Sequence, residues 1–132
     1  MHAMLRVQNL RRSLDFYCGI LGLKEIRRIT FQDPPHTLVF LGNPAGTMNT
    51  LGAMQIELWH DSLEQDNTTA LPSGNSSGHI GIEVTDLVNC VRKLAAAGIH
   101  IEQYPTALRV GGRLIAFIRD PDGHEIELLA NE

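Results

Sequence analysis

The chain contains an internal repeat, which limits its possible folds more than any other feature. The stretch HAMLRVQNL, which starts at His2, aligns with HIGIEVTDL, which starts at His79. The stretch LVFLGNPAG, from Leu38, aligns with IAFIRDPDG, from Ile115, at the same offset of 77 residues. A repeat of this length predicts two copies of one supersecondary unit.

A third match lies nearer the end of each copy. The sequence IEL at residues 56–58 aligns with IEL at residues 126–128, at an offset of 70. The shorter offset predicts a longer connection in the first copy, between Gly46 and Ile56.

Each copy begins with a strand and continues into a helix. In the first copy Asn9 is the predicted N-cap and Gly22 the predicted end. In the second copy Thr85 or Asp86 caps the helix and Gly98 ends it. The apolar faces have helical spacing in both copies and consist of Leu10, Leu14, Tyr17 and Leu21 in the first and Leu87, Val91 and Leu94 in the second.

Further strands follow each helix. Apolar stretches predict them at 37–41 and 54–59 in the first copy and at 114–118 and 125–129 in the second. The chain is therefore predicted to have an α+β fold of two tandem βαβββ units. We expect a first unit over about 1–61, a linker rich in Asn, Ser, Thr and Gly over 62–77, and a second unit over about 78–130.

The composition argues against several classes of function. The net charge is −4, no long basic run exists, and Arg11-Arg12 and Arg27-Arg28 are isolated pairs, so no nucleic-acid partner is predicted. No apolar run approaches membrane-spanning length, and no signal-peptide segment is found, so we expect a cytoplasmic protein with no membrane partner. Cys18 and Cys90 form no C-x-x-C pair and are expected to be reduced, buried thiols.

Four polar residues occupy matched positions in the two copies. Each copy has a histidine at the start of its first strand, and each has a glutamate within IEL. Because side chains alternate along a strand, Glu57 and Glu127 point away from the apolar face that packs on a helix, and so does His79. The repeat therefore changes the interpretation of His2, which alone reads as a solvated terminal residue. The other histidines lack this pattern and are predicted at the surface: His36, His60, His100 and His124.

Two imidazoles and two carboxylates are typical ligands of a divalent transition ion. Nitrogen and oxygen donors without thiolate suit Ni, Co, Fe, Mn or Zn. Four protein ligands leave two coordination positions for water or substrate, as in a catalytic site. The sequence therefore predicts a metal site formed by His2, Glu57, His79 and Glu127.

Several motifs resemble glyoxalase I (lactoylglutathione lyase), of the vicinal oxygen chelate superfamily. They are H-x-M-L-R-V-x-N-L-x-R-S-L-D-F-Y from His2, L-G-L-K from Leu21, I-E-L from Ile56, G-H-I from Gly78 and A-F-x-x-D-P-D-G-x-x-I-E-L from Ala116. The resemblance covers nearly the whole chain. Paired βαβββ units are the fold of that superfamily, which agrees with the repeat.

The resemblance implies a metal held at the four matched positions. Histidine at position 2 resembles the bacterial branch that is activated by nickel or cobalt, with zinc as a further candidate. Members of the family are homodimers whose sites combine the first unit of one subunit with the second unit of the other. Such a site would anchor His2 near the chain end.

The resemblance also implies a reaction. The substrate would be the hemithioacetal of methylglyoxal and a thiol, expected to be glutathione, and the product S-D-lactoylglutathione. The metal would stabilise an enediolate formed when a carboxylate removes the carbon-bound proton. Family precedent assigns that carboxylate to Glu127, with Glu57 as its near-symmetric counterpart.

The substrate-binding residues of the family are only partly matched in this chain. The family uses an arginine at the spacing of Arg6 for the γ-glutamyl carboxylate, since a guanidinium binds carboxylates in a fork. Asp61 stands where the family usually has Asn, and Trp59 where a small Thr is common. Arg109 or Arg113 would replace the usual lysine near the glycyl carboxylate.

Other functions on the same scaffold stay open. Ring-cleaving dioxygenases and fosfomycin thiol transferases use two His and one Glu, whereas four candidate ligands are present here. Acyl-CoA epimerases usually carry Gln at the position of Glu57. Metal-free drug-sequestering proteins bind ligands in an aromatic-lined groove, but only 5% of this chain is aromatic.

Overall fold

The computed structural model describes residues 2–43, 54–63 and 78–130. The chain divides into two compact units, which comprise residues 1–70 and 71–132. Most of the longer connection predicted between Gly46 and Ile56 and most of the predicted linker lie outside the described residues.

The first unit contains a four-stranded sheet in the order β1-β4-β3-β2. β1 runs parallel to β4, and the other neighbouring pairs are antiparallel. Its strands are β1 (His2–Arg6), β2 (Lys24–Gln32), β3 (Pro35–Gly42) and β4 (Gln55–Asp61).

The second unit contains a sheet of the same design, in the order β5-β8-β7-β6. β5 is parallel to β8, and the remaining pairs are antiparallel. The predicted fold of two tandem βαβββ units is therefore confirmed. Its strands are β5 (Ile80–Val84), β6 (Ile101–Ala107), β7 (Leu114–Arg119) and β8 (Glu125–Ala130).

One strand in each unit, the first after the helix, cannot be located from the pattern of apolar residues. β2 and β6 are edge strands, and most of their side chains are exposed. A strand without a continuous buried face lacks the apolar alternation on which such a prediction depends.

The first helix departs from the regular α-helix predicted over residues 10–21. α1 covers Leu10–Leu14, and the chain continues as a π-helix over Asp15–Ile20. The wider π turn places two consecutive aromatic side chains, Phe16 and Tyr17, in the core, where their rings meet edge to face at 4.9 Å. The predicted N-cap is correct, because Asn9 Oδ1 accepts a hydrogen bond from the Arg12 backbone N–H at 2.9 Å.

The second helix, α2 (Leu87–Ala96), forms as predicted and lies on β6, β7 and β8. Leu87, Val91 and Leu94 form its buried face. Asp86 is the cap, and its side chain accepts from the Asn89 N–H. Gly98 follows with a φ of +82°, a left-handed conformation that favours glycine after a helix.

The IEL strands place their apolar side chains in the core of each unit. The flanking Ile and Leu of both motifs are at most 6% exposed: Ile56, Leu58, Ile126 and Leu128. Strand alternation then places Glu57 and Glu127 on the opposite sheet faces. Cys18 and Cys90 are free and half-buried, and burial raises the pKa of both thiols. No helix among the described residues is long and apolar enough to span a membrane.

The turn between β7 and β8 is built around Asp120, which is 5% exposed. Its Oδ1 accepts from the backbone N–H groups of Asp122 and His124, and its Oδ2 accepts from His124 Nδ1 at 2.8 Å. This hydrogen bond raises the pKa of His124. His124 lies in a turn, as predicted, and its partly exposed imidazole also stabilises that turn through Asp120.

The raised pKa of His124 predicts a pH-dependent contribution to stability. The folded state binds the imidazole proton more tightly, so the contribution is full below about pH 6.5 and is lost as pH rises through the folded-state pKa. The difference in unfolding free energy between the wild type and His124→Asn should be larger at about pH 5.5 than at about pH 9. Urea unfolding of both proteins at the two pH values measures it. An equal difference at the two pH values would contradict the assignment.

Candidate metal centre

The first unit brings two of the predicted ligands together. His2 begins β1, and its neighbour β4 carries Glu57. The His2 Nε2 atom lies 2.8 Å from Glu57 Oε2. The parallel register pairs Met4 with Glu57, so His2 lies one pleat from the glutamate on the same sheet face.

The second unit brings the other two ligands together in the same way. His79 directly precedes β5, and β8 carries Glu127. The His79 Nε2 atom lies 3.0 Å from Glu127 Oε2. A second carboxylate oxygen, Glu125 Oε1, lies 3.8 Å from His79 Nδ1.

A phenylalanine ring contacts the imidazole in each unit. Phe40 lies beside Glu57 in register, and its ring meets His2 edge to face at 5.8 Å and 86°. Phe117 lies beside Glu127, and its ring meets His79 at 5.5 Å and 85°. The motifs alone do not indicate that these phenylalanines border the site, although Phe40 aligns with Phe117 in the repeat.

The charge balance of the two pairs favours a cation. The Glu57 side chain is 11% exposed and that of Glu127 is 17% exposed, whereas the imidazoles are about half exposed. A carboxylate removed from water needs a positive or hydrogen-bonding partner. Nitrogen and oxygen donors that already point at each other fit a divalent ion of the Ni, Co or Zn type.

Each unit by itself supplies two donors. Within the described residues, 2–43, 54–63 and 78–130, no three His, Cys, Asp or Glu side chains form a group that could hold a metal ion. The structure therefore shows two separate imidazole–carboxylate pairs.

A row of side chains in contact through their rings crosses the first sheet on the face that carries His2 and Glu57, which we call the site face. The Arg6 guanidinium lies 4.9 Å from the centre of the Trp59 ring. His36 lies 5.2 Å from Trp59 on the other side and stacks on Phe31 at 4.4 Å, nearly parallel. Arg6 and Trp59 thus lie together, as candidate substrate residues should.

The other candidate substrate residues have partners of their own. Asp61 ends β4, and its Oδ1 accepts from the Leu63 N–H at 2.9 Å. Arg113 pairs with Glu83 at 2.6 Å and donates to the Ala130 carbonyl. Arg109 lies in the turn between β6 and β7, where its carbonyl accepts from the Gly112 N–H.

Comparison with known proteins assigns the family. Residues 1–128 match the family model described as "Glyoxalase/Bleomycin resistance protein/Dioxygenase superfamily". The chain belongs to this superfamily. A lactoylglutathione lyase from Neisseria meningitidis is 36% identical to it over 129 residues, which cover 98% of this chain and 88% of that protein.

Solved structures of glyoxalase I have a similar fold. The trypanothione-dependent glyoxalase I of Leishmania major has a TM-score of 0.79 and 32% identity, covering 98% of this chain and 84% of that one. Glyoxalase I from Zea mays has a TM-score of 0.78 and 30% identity over 97% of this chain. The present chain spans only 43% of the length of the maize chain. The resemblance to glyoxalase I predicted from the motifs is confirmed, and so is the prediction of an enzyme.

The two phenylalanines should differ in their contribution to stability. Phe40 is 6% exposed, whereas Phe117 is only half-buried. Phe40→Ala should lower the free energy of unfolding by about 3 kcal/mol, and Phe117→Ala by less, because less apolar area is lost. Urea unfolding of both variants checks this order, and a greater loss for Phe117→Ala would contradict it.

Proposed function

We propose that the protein is a lactoylglutathione lyase. It would convert the hemithioacetal of methylglyoxal and glutathione into S-D-lactoylglutathione. The observation that carries this proposal is the imidazole–carboxylate pair found on both sheets of a chain that matches curated lactoylglutathione lyases over 98% of its length. A metal-free sequestering protein has no need of such a repeated pair.

A direct assay tests the activity. The protein is stripped of metal, loaded with Ni²⁺, Co²⁺ or Zn²⁺, and supplied with methylglyoxal and glutathione. Formation of the thioester is expected, with Ni²⁺ or Co²⁺ most effective. No thioester with any of the three ions would overturn the proposal.

Four side chains would hold the divalent ion: His2, Glu57, His79 and Glu127. The ion, when bound, would supply a Lewis acid that stabilises negative charge on the two vicinal oxygens of the substrate. We further propose that the active unit is a cytoplasmic homodimer in which each site combines the first unit of one subunit with the second unit of the other. The two pairs support this, because each unit provides two of the four donors.

The reaction moves one proton between adjacent carbons. The Glu127 carboxylate would take the proton from the hemithioacetal carbon, and the electron pair of that C–H bond would form the double bond of an enediolate. Glu127 would then return the proton to the neighbouring carbon. The hydroxyl proton on the hemithioacetal carbon passes to the oxygen of the neighbouring carbon, so the hemithioacetal carbon becomes the thioester carbonyl and no external oxidant or reductant is needed.

Arg6 would bind the γ-glutamyl carboxylate of the thiol. Among the described residues no aspartate or glutamate forms an ion pair with Arg6, and its guanidinium lies on Trp59. A stacked guanidinium keeps its N–H edges available to a carboxylate. Trp59 and Asp61 would border this end of the substrate.

Removing the proposed base should mainly affect turnover. Glu127→Gln should lower kcat by at least about 10²-fold, since a neutral amide cannot accept the proton. Steady-state kinetics on protein whose metal content has been measured separates loss of the base from loss of metal. Glu102→Gln, on β6 in the same unit, is the control and should retain wild-type rates. Wild-type turnover by Glu127→Gln would show that another group is the base.

The shared site predicts complementation between inactive chains. His2→Ala and Glu127→Gln chains, mixed and allowed to exchange, should recover up to about a quarter of wild-type activity, because half of the dimers are mixed and each has one undamaged site.

The matched control combines two lesions in the same unit. Mixing His2→Ala with Glu57→Gln should give no recovery, since both sites of every mixed dimer then carry a lesion. Native mass spectrometry verifies the exchange. Recovery in the control, or none in the first mixture despite exchange, would contradict the shared site.

A further inference from the structure

The arginines of the two sheets are held by different partners. In the second unit Arg119 pairs with Glu102 at 2.5 Å and lies 3.5 Å from Glu125, and Arg113 pairs with Glu83. On the site face of the first unit, by contrast, the guanidinium groups lie on aromatic rings. Arg6 lies on Trp59, and Arg27 lies on Phe40.

The Phe40 ring lies between Arg27 and the proposed metal ligand His2 and contacts both. Arg27 belongs to β2 and pairs in register with Phe40, which pairs in turn with Glu57. Its Cζ atom lies 4.4 Å from the centre of the Phe40 ring, and that ring contacts the His2 imidazole. The Arg27 side chain is therefore exposed on the same face as the pair that would hold the metal.

The adjacent residue, Arg28, differs from Arg27 in having a carboxylate partner. Arg28 points to the opposite sheet face and donates two hydrogen bonds to Glu25, at 2.9 and 2.7 Å. Arg27 forms no ion pair with any aspartate or glutamate among the residues that the structure describes. The Arg27 guanidinium lies over the Phe40 ring, and a guanidinium held in this way leaves N–H groups to bind an anion, for which a carboxylate is the matching fork.

We propose that Arg27 is a second carboxylate-binding residue of the substrate site, distinct from Arg6. This inference rests on the proposed function. The carboxylate has two chemical sources in such a substrate: an acidic substituent on the 2-oxoaldehyde, or the glycyl carboxylate of the thiol. The first would make the enzyme competent with acidic 2-oxoaldehydes as well as methylglyoxal, and the second would replace the role considered for Arg113.

Binding of unreactive thioethers tests the inference and distinguishes the two sources. Each probe pair differs only by a carboxylate and its neutral amide. The first pair is S-(carboxymethyl)glutathione and S-(carbamoylmethyl)glutathione. The second is S-methylglutathione and its C-terminal glycinamide form. Dissociation constants are measured on Ni²⁺-loaded protein by titration calorimetry and by the fluorescence of Trp59, the single tryptophan of the chain.

We expect the wild type to prefer the acid in one pair by roughly ten-fold, the usual scale of a charged hydrogen bond. Arg27→Gln should abolish that preference, and Arg27→Lys should retain part of it. Arg28→Gln, the neighbouring arginine on the other face, is the matched control and should retain it fully. The probe pair that responds identifies the source of the carboxylate.

Two negative results have different meanings. If S-methylglutathione binds and Arg27→Gln leaves the acid-to-amide ratio of both pairs unchanged, the role of Arg27 is overturned while the proposed function stands. If S-methylglutathione does not bind the wild type and methylglyoxal with glutathione is not turned over, the proposed function and this inference fail together.

Discussion

The site face of each unit is organised around a largely buried carboxylate that faces an imidazole. The IEL strands must bury their isoleucine and leucine, and the pleat then fixes the direction of the glutamate between them. Such a carboxylate loses hydration, so a partner has to lie opposite. The parallel neighbour strand provides it in each unit, as His2 for Glu57 and His79 for Glu127. A phenylalanine ring beside each imidazole limits its orientation.

The two units share a backbone design but differ in charge. On the first sheet, Arg6 and Arg27 lie on rings and present their donors to solvent. On the second sheet, Arg113 and Arg119 are paired with glutamates. We therefore propose that anionic parts of a substrate bind at the first sheet, while the second contributes carboxylates. In this proposal the first unit binds the anionic end of the substrate, and the second provides the proton-transfer group, Glu127.

Much of the fold could be predicted because the repeat provides two copies of one unit, whose matched positions can be compared. The pairing of His2 with Glu57 and of His79 with Glu127 follows from matched positions and strand alternation. The edge strands could not be located, since exposed β2 and β6 lack an apolar pattern. The π-helix was missed because the spacing of apolar residues does not report which backbone hydrogen bonds form. Arg27 reads as half of a surface pair with Arg28, and only the register across β2, β3 and β4 separates the two onto opposite faces.

The central proposal is that the two pairs together provide the four ligands of one metal ion, and that neither pair binds an ion by itself. Metal content per chain, measured for the wild type, His2→Ala and His79→Ala after loading with Ni²⁺ and removal of excess ion, tests it most directly. We expect one ion per wild-type chain and a large loss in each variant, because either substitution damages every site. Two ions per wild-type chain, with one ion retained in each variant, would contradict it.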